Sequence, residues 1–414
     1  MPSALRRVIE PMLPVGRFDY RAKRIVAIIW LAGLFQGFAQ AQASATLPFT
    51  RAGLGLSEAE MSLILGFARL AAFGALPLGW LGDHIGRRRP FLWAMTLVLG
   101  GATVAGLALE SWQYGVSQAI LRTGSAAVSG LAVVILAEHV APDIRAYSIS
   151  FYGAAISLGS GFALMTLPLA DGGGNSWRIP HLLSATGFLA LPFLIRNVPE
   201  SEIFERAEHE GHWSELLRGK WARSFWIVGA IGFVASAFSA VAIAFSTGRL
   251  IEGVGMSTAE AVVISLLGGT FGGIGFFVGG HLADAWGRKP TTVVSLLMAL
   301  AGGLALYWTY SVPLIVLAVM VSSFGTFAFV PAGGSHRAEL FPTHLRSSAT
   351  TAASNFAVVG SAMGLILGVF TIDRFGVSET VTVLGVGMGV AALMTLLLPE
   401  TRGQDLTAAV TDRP

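Results

Sequence analysis

The sequence predicts an all-α membrane protein in which twelve transmembrane helices form two six-helix bundles related by pseudo-twofold symmetry. Three observations support this prediction. The 414 residues are 54% hydrophobic and only 12% charged, about half the charge of a typical soluble protein. The apolar residues form twelve long stretches, and a charged, glycine-containing motif occurs twice, 201 positions apart, at Asp83 and Asp284.

Each apolar stretch is close to the ~20 residues that an α-helix needs to cross a bilayer. The bundles are therefore expected at 26–197 and 223–398, and the cytoplasmic segments at 1–25, 198–222 and 399–414. The linker 198–222 is predicted to contain a short amphipathic helix. Spans one to twelve are predicted at residues 26–48, 60–82, 90–109, 113–137, 147–170, 181–197, 223–248, 259–283, 291–309, 312–335, 347–371 and 377–398.

The distribution of Lys and Arg predicts the orientation of the chain. If the N-terminus is cytoplasmic, 21 of the 27 basic residues lie in cytoplasmic segments, whereas the opposite loops hold only Arg51, Arg178, Arg249 and Arg374. Basic loops stay in the cytoplasm, so both termini are predicted there, in a multi-pass protein of the cell (cytoplasmic) membrane. Topology thus explains the pI near 9.4, and no nucleic-acid partner is expected.

The repeated motif relates the two halves of the chain. Glu138 and Glu339, and likewise Arg145 and Arg346, recur at the same separation as the two motifs. Six spans repeated in one orientation imply two bundles related by an axis along the membrane normal, with a cavity between them. The motif residues Gly79, Asp83, Gly86, Arg87 and Arg88 correspond to Gly280, Asp284, Gly287, Arg288 and Lys289.

The repeated charges lie at cytoplasmic ends of spans, where we expect them to hold the bundles together. Asp83 is expected to pair with Arg346 at the start of span eleven, where the positive helix N-terminus also favours a carboxylate. By symmetry Asp284 is expected to pair with Arg145 at the start of span five. The alternative is that these residues fix only topology and turns. The predicted gating set is Gly79, Asp83, Gly86, Arg87, Arg88, Glu138, Arg145, Gly280, Asp284, Gly287, Arg288, Glu339 and Arg346.

These residues resemble the major facilitator superfamily of secondary transporters, whose hallmark is Gly-x-Leu-x-Asp-x-x-Gly-Arg-Arg between spans two and three. The segments 339–346 and 399–403 resemble its sugar-porter and metabolite–proton symporter branches. The resemblance covers the whole chain. It implies transport of a small molecule by alternating access in a lipid bilayer. We expect a monomer that needs no cofactor.

Several positions depart from those branches. Span seven lacks the Gln pair of sugar porters, and Glu202 and Ile203 stand where Pro-Arg usually follows the first Pro-Glu-Ser. Span one has no early acidic residue, and span five lacks the glycine- and proline-rich signature of drug antiporters. Sugar specificity and proton coupling therefore stay open.

Two arginines are the only charges predicted near the membrane midplane. A charge at that depth costs at least about 2.5–3 kcal/mol and by default marks a substrate or ion pathway. The alternative is an arginine that donates hydrogen bonds to carbonyls between helices. With polar residues at similar depth they form the candidate substrate-binding set Gln36, Gln40, Arg69, Arg122, Ser236, Ser239, Ser323 and Asn355.

The absence of a predicted midplane Asp or Glu favours a substrate that carries its own negative charge, such as a carboxylate-bearing metabolite. We expect uptake, and a coupled proton would be carried by the substrate, Glu138 or Glu339. The alternatives are an efflux antiporter for drugs or metabolites and a transporter-like sensor. The chain has no cysteine and no nucleophile–base or metal-ligand spacing, so neither an enzyme nor a metal site is expected.

Overall fold

The computed structural model describes residues 12–56, 61, 64, 67–170, 172–205, 213–246, 249–404 and 406. In this part of the chain every regular element is helical, and eleven helical segments are long and apolar enough to cross a membrane. Spans one and three to twelve are Tyr20–Ala45, Arg88–Leu107, Ser111–His139, Pro142–Met165, Arg178–Asn197, Ala222–Ala244, Thr258–Ala285, Arg288–Trp308, Val312–Leu340, Thr343–Phe375 and Val377–Thr395.

Span two lies partly outside the described residues. Its later part consists of a 3₁₀ turn, Ala71–Gly74, followed by the α-helix Ala75–His84. The hydroxyl of Thr123 on span four donates a hydrogen bond of 2.6 Å to the Ala71 carbonyl and so fixes the turn. A 3₁₀ segment inside a helix often marks a hinge, and this one begins two residues after Arg69.

Short elements connect the spans. The helix Leu47–Gly53 follows span one, and a π-helical turn, Arg249–Gly253, precedes span eight. The predicted linker contains two short helices, Glu202–Glu205 and Trp213–Leu217, with residues 206–212 outside the described part of the chain. Leu216 in the second of them is fully buried against the core of the second half.

The two halves use the same helix packing. Span one packs on span five and span three on span four, just as span seven packs on span eleven and span nine on span ten. Each half has its own apolar core, centred on residues such as Met95 and Leu131 in the first and Phe238 and Leu296 in the second. The halves meet most extensively along two pairs of helices, five with eight and two with eleven, and also between spans four and eleven and spans five and ten. The predicted architecture of two related bundles is confirmed.

Backbone contacts through glycine bring these helices together. A Cβ atom at Gly159 on span five would lie 2.0 Å from the Leu34 carbonyl oxygen of span one. A Cβ atom at Gly360 on span eleven would lie 2.0 Å from the Phe233 carbonyl oxygen of span seven. Neither oxygen belongs to a side chain that could rotate away, so only glycine allows this approach.

We expect Gly159→Ala to destabilise the protein by at least about 1–3 kcal/mol, the usual cost of overpacking a filled interior. The matched control is Gly161→Ala on the same helix, where an added Cβ would have no atom within 4 Å. Thermal unfolding of the purified variants measures the difference. Equal melting temperatures for the two variants would contradict the packing described here.

Candidate functional site

A buried aspartate of the first motif contacts the start of a helix from the other half. The backbone N–H groups of Ser347 and Ser348 donate to the carboxylate of Asp83 over 2.9 and 2.7 Å. They are the fifth and sixth residues of span eleven. The start of a helix carries the positive end of its dipole. Asp83 therefore places a charged acceptor beside that helix start, across the boundary between the halves.

The second motif repeats this arrangement with the roles of the halves exchanged. The backbone N–H groups of Ala146 and Tyr147, the fifth and sixth residues of span five, donate to the Asp284 carboxylate over 3.1 and 3.0 Å. Asp284 belongs to the second half and span five to the first. Both aspartates therefore lie at the helix starts to which the sequence assigned them.

The arginines at those helix starts have other partners than the sequence suggested. The guanidinium of Arg346 donates to Glu138 over 2.5 Å, and that of Arg145 donates to Glu339 over 2.7 Å. The expected direct ion pairs between these arginines and the aspartates are therefore absent. The physical reason is that backbone N–H groups already occupy the aspartates, while a glutamate of the opposite half reaches each arginine.

The arginine of each motif joins the aspartate to the glutamate. Arg87 donates to both oxygens of Glu138, over 3.1 and 3.2 Å, and to the Thr343 carbonyl of the other half over 2.5 Å. Arg288 donates in the same way to Glu339 and, over 2.8 Å, to the Pro142 carbonyl. We call these two clusters the latch: Asp83, Arg87, Glu138 and Arg346, and Asp284, Arg288, Glu339 and Arg145.

Burial makes the latch depend on complete pairing. Arg87 and Arg288 are fully buried, and the carboxylates they bind are buried with them. Removing one partner of a buried charge pair typically costs about 3–5 kcal/mol, because the other charge stays behind without compensation. Loss of any one charged residue of a latch cluster is therefore expected to weaken the contact between the halves.

The first glycine of each motif allows the halves to approach. A Cβ atom at Gly79 would lie 2.8 Å from the Thr351 hydroxyl oxygen of span eleven. A Cβ atom at Gly280 would lie 2.3 Å from the Ser150 hydroxyl oxygen and 2.9 Å from the Tyr147 Cα atom of span five. A close approach of the helices beside each aspartate is thus present in both halves.

The last glycine of each motif forms a turn that exposes backbone N–H groups to a further carboxylate. Gly86 and Gly287 have φ values of +96° and +133°, which favour glycine. Glu200 then accepts from the N–H of Arg87 over 2.7 Å, and Glu400 from that of Arg288 over 2.9 Å. The sequence analysis did not include these two glutamates in the site. Their repeated Pro-Glu dipeptides are the signal that could have identified them.

We expect the stabilising effect of Glu400 to depend on pH. Partial burial would raise the pKa of Glu400, but backbone N–H donation from Arg288, Arg402 and Lys289 outweighs it and lowers the pKa below 4.5. A depressed pKa means that the contribution is complete above the unfolded-state value and is lost as pH falls through the folded-state value. Glu400→Gln should therefore lower the melting temperature at pH 7, and the difference should shrink below about pH 4. An equal difference at pH 7 and pH 3.5 would contradict this assignment.

A cavity of about 250 Å³ lies between the halves, well away from the latch. Arg69 precedes Asp83 by 14 residues and Arg122 precedes Glu138 by 16, which places both arginines about 20–24 Å along their helices from the latch. Spans one, two and four line the cavity from the first half, and span eleven from the second. The lining residues are Gln40, Arg69, Ala72, Arg122, Ser125, Ala126, Ser129, Ser354, Val358 and Ser361.

The two arginines bring uncompensated positive charge to this cavity. Arg69 and Arg122 are both half-buried, and within the described part of the chain neither guanidinium forms an ion pair or a hydrogen bond. The alternative use, hydrogen bonds to carbonyls between helices, is therefore not seen among these residues. Two like charges at one cavity favour an anion between them, and guanidinium groups bind carboxylates through paired hydrogen bonds.

Gln36 supports the cavity from behind its wall. Its buried amide donates to the hydroxyl groups of Ser125 and Ser129 over 3.0 and 2.9 Å, and accepts from the Tyr152 hydroxyl over 2.5 Å. Gln40, one helical turn farther along, lines the cavity itself. The two glutamines thus have different positions: one fixes the serines of span four and the other faces the cavity.

The remaining predicted binding residues do not line this cavity. They are Ser236 and Ser239 on span seven, Ser323 on span ten and Asn355 on span eleven. Span eleven instead presents Ser354, Val358 and Ser361, which share one face at a spacing of four and three residues.

Asn355 lies about 100° around the helix from that face. It is buried, and its amide has no hydrogen-bond partner within the described residues. Of the residues that the sequence analysis missed, Ser125 and Ser129 follow Arg122 on its face of span four. That helical spacing is the signal that could have identified them.

Comparison with known proteins gives a family and several relatives. Residues 29–312 and 233–412 match the family model described as Major Facilitator Superfamily. A putative metabolite transport protein of Haemophilus influenzae is 26% identical, over 82% of this chain and 85% of its own length. The sialic acid transporter NanX of Escherichia coli is 22% identical, over 89% of this chain and 91% of its own.

Solved structures share the fold. The proton:xylose symporter XylE superposes with a TM-score of 0.77 at 20% identity, covering 94% of this chain and 98% of its own. The human organic anion transporter MFSD10 gives a TM-score of 0.74 at 16% identity, covering 91% and 100%. At these identities the similarity concerns the twelve-helix, two-bundle architecture.

Proposed function

The chain belongs to the major facilitator superfamily, and we propose that it carries a small carboxylate-bearing metabolite across the membrane by alternating access. One observation carries this proposal: Arg69 and Arg122 face a single cavity between the halves, and no described carboxylate pairs with either. Family membership and fold support a multi-pass membrane transporter of metabolites or sugars. Among metabolites and sugars, the positive charge of the cavity favours an acidic substrate.

The latch accounts for how the cavity closes and opens on one side of the membrane. We assign the latch end to the cytoplasm, since the positive-inside asymmetry of the sequence favours that side. With the latch intact, helices five and eight and helices two and eleven are held together there. Opening to the cytoplasm requires both clusters to separate, and the anion then leaves the arginines toward that side.

The size and polarity of the cavity limit the substrate further. Its volume of about 250 Å³ lies just below the usual range of ligand pockets, about 300–1,000 Å³, which favours a small solute. Beside the arginines, the Gln40 amide and the hydroxyl groups of Ser125 and Ser129 offer hydrogen bonds to an uncharged polar part. A hydroxylated organic acid fits this arrangement, and the relative that is named for sialic acid transport supports an acidic substrate.

We propose uptake as the direction, with the substrate's own carboxyl group as the carrier of any coupled proton. Glu138 and Glu339 are the other acids considered for that role. Each is held by two arginines in the latch, so a proton on either would remove the ion pairs that close the protein. An uptake assay with and without a pH gradient measures the coupling.

Flux into proteoliposomes that contain the purified protein tests the proposed function. A panel of small hydroxylated organic acids is compared with neutral sugars of similar size, and protein-free liposomes give the background. We expect at least one acid to accumulate above background and its carboxamide analogue to fail. Accumulation of neutral sugars without any acid would refute the anionic substrate, and the absence of any flux would favour the sensor alternative.

A further inference from the structure

A second cavity of about 320 Å³ lies at the latch end of the first half, outside the latch itself. Spans one, three, four and six surround it. Four of its lining residues are arginines and none is Asp or Glu. We call it the basic pocket, lined by Arg21, Arg24, Ile25, Ile28, Arg88, His139, Arg196, Asn197, Val198 and Pro199.

The positive charge of the basic pocket is only partly compensated. Arg21 pairs with Glu202 over 2.6 Å, but both side chains are more than half exposed, so solvent screens that pair. Arg24 donates to the neutral Asn197 amide oxygen over 2.8 Å. Arg196 forms no ion pair with any described residue. At least two of these arginines therefore face the pocket without a carboxylate.

Arg88 adds a guanidinium that forms no ion pair with a described carboxylate. Its Nη2 atom donates to the Ile195 carbonyl over 2.5 Å, whereas its Nε atom is buried and has no partner among the described residues. The nearby carboxylate of Glu200 accepts hydrogen bonds from the backbone N–H groups of Arg87 and Arg88. The Nε atom has almost no accessible surface, so Arg88 contributes to the pocket through its charge and its Nη atoms.

Topology alone does not explain this concentration of charge. The two halves end alike at Pro199 and Pro399. When the halves are aligned on these prolines, Arg196 corresponds to Leu396 and Asn197 to Leu397. Basic residues near the cytoplasmic ends of helices would satisfy the positive-inside rule in either half. The arginine at the end of span six is therefore a feature of this pocket rather than of the repeat.

The surface beside the pocket is apolar and exposed. Trp93 on span three and Phe193 and Ile195 on span six are 48%, 47% and 45% exposed. They lie within about two helical turns of Arg88 and Arg196 on the same spans. A ligand for this place must combine an anionic head with apolar chains, which is the chemistry of an anionic phospholipid.

We propose that the basic pocket binds the phosphate of an anionic phospholipid headgroup, with the acyl chains against the apolar surface of spans three and six. The bound phosphate accepts hydrogen bonds from Arg24, Arg88 and Arg196 and so joins the ends of three helices. Arg88 directly follows Arg87 of the latch, and His139 directly follows Glu138. The headgroup thus lies one residue from the latch on two of its helices.

Lipid titration of the purified full-length chain in a neutral detergent tests this site, with native mass spectrometry as the readout. Phosphatidylglycerol, phosphatidylcholine and inorganic phosphate are the three probes. The test variant is Arg24→Gln with Arg196→Gln. The matched control is Arg89→Gln with Arg223→Gln, which removes the same charge at exposed positions outside the pocket. Size-exclusion chromatography confirms that both variants are folded.

We expect saturable binding of phosphatidylglycerol to the unmodified chain and none of phosphatidylcholine at the same concentrations. The test variant should bind about 25-fold more weakly, since each of the two arginines contributes roughly a factor of five near an anionic membrane. The control variant should bind as the unmodified chain does. Equal weakening in both variants would overturn the site in favour of diffuse attraction, and unchanged binding in the test variant would overturn it outright. Displacement of the lipid by millimolar inorganic phosphate would overturn the lipid as its ligand.

Discussion

Arg122→Ala is expected to reduce uptake of the transported anion about 10- to 100-fold, because a hydrogen bond to a charged group is worth about 1.5–3 kcal/mol. Arg122 lines the cavity and has no other described partner, so its loss removes an interaction with the substrate rather than one within the protein. Initial uptake rates in proteoliposomes, measured over a range of substrate concentrations, give the effect. Arg69→Ala is expected to act in the same direction.

Two further variants separate substrate binding from folding. Arg122→Lys keeps the charge but loses the planar pair of donors that matches a carboxylate, so we expect intermediate uptake. Ser239→Ala on span seven changes a polar residue that does not line the cavity, and uptake should be unchanged. Full uptake by both alanine variants of the arginines would refute the anion site, provided that each variant runs as a monodisperse protein.

Asp83→Asn is expected to open the latch end of the protein. The asparagine keeps the shape of the side chain but removes the charge that holds two N–H groups of span eleven. A hydrogen bond to a charged group is worth about 1.5–3 kcal/mol. Loss of these bonds should therefore raise the population of the form open at the latch end about 10- to 100-fold. The equivalent change, Asp284→Asn, should have a similar effect, because the second cluster repeats the contacts of the first.

Thiol labelling measures that opening directly. The chain has no cysteine, so a single Ser361→Cys variant provides one reporter in the cavity. A membrane-impermeant maleimide is applied from the latch side, with and without Asp83→Asn. Glu379→Gln, a carboxylate change in the first turn of span twelve, is the control and should leave the rate unchanged. An unaltered labelling rate in the Asp83→Asn variant would show that the latch does not close this end.

The sequence could predict the fold because hydropathy and repetition act over the whole chain. Twelve apolar stretches and a motif repeated in one register leave few architectures other than two related bundles. The structure has that symmetry, since span one packs on span five just as span seven packs on span eleven. The location of Asp83 and Asp284 was predictable for the same reason. Each recurs beside a glycine and opposite the start of a helix in the other half.

The partners within the site were less predictable, since they depend on rotation and depth of individual helices. Arg346 contacts Glu138 because that carboxylate lies within reach across the boundary, while backbone groups hold Asp83. A one-residue step likewise separates Ser354, which lines the cavity, from Asn355, which does not. A single sequence shows which residues share a face of a helix. It does not show how span eleven is rotated about its axis, and so which of its faces lines the cavity.

The two halves contribute unequally to the lining of the cavity, which bears on how a bound substrate would move. Both arginines and the hydroxyl groups of span four belong to the first half, whereas the second half contributes only one face of span eleven. Under the proposed function, an anion bound to these arginines stays fixed relative to the first half throughout the cycle, and span eleven moves past it. Larger side chains at Ser354, Val358 or Ser361 should therefore change which molecular sizes can pass, while the charge of the cargo stays under the control of the half that carries it.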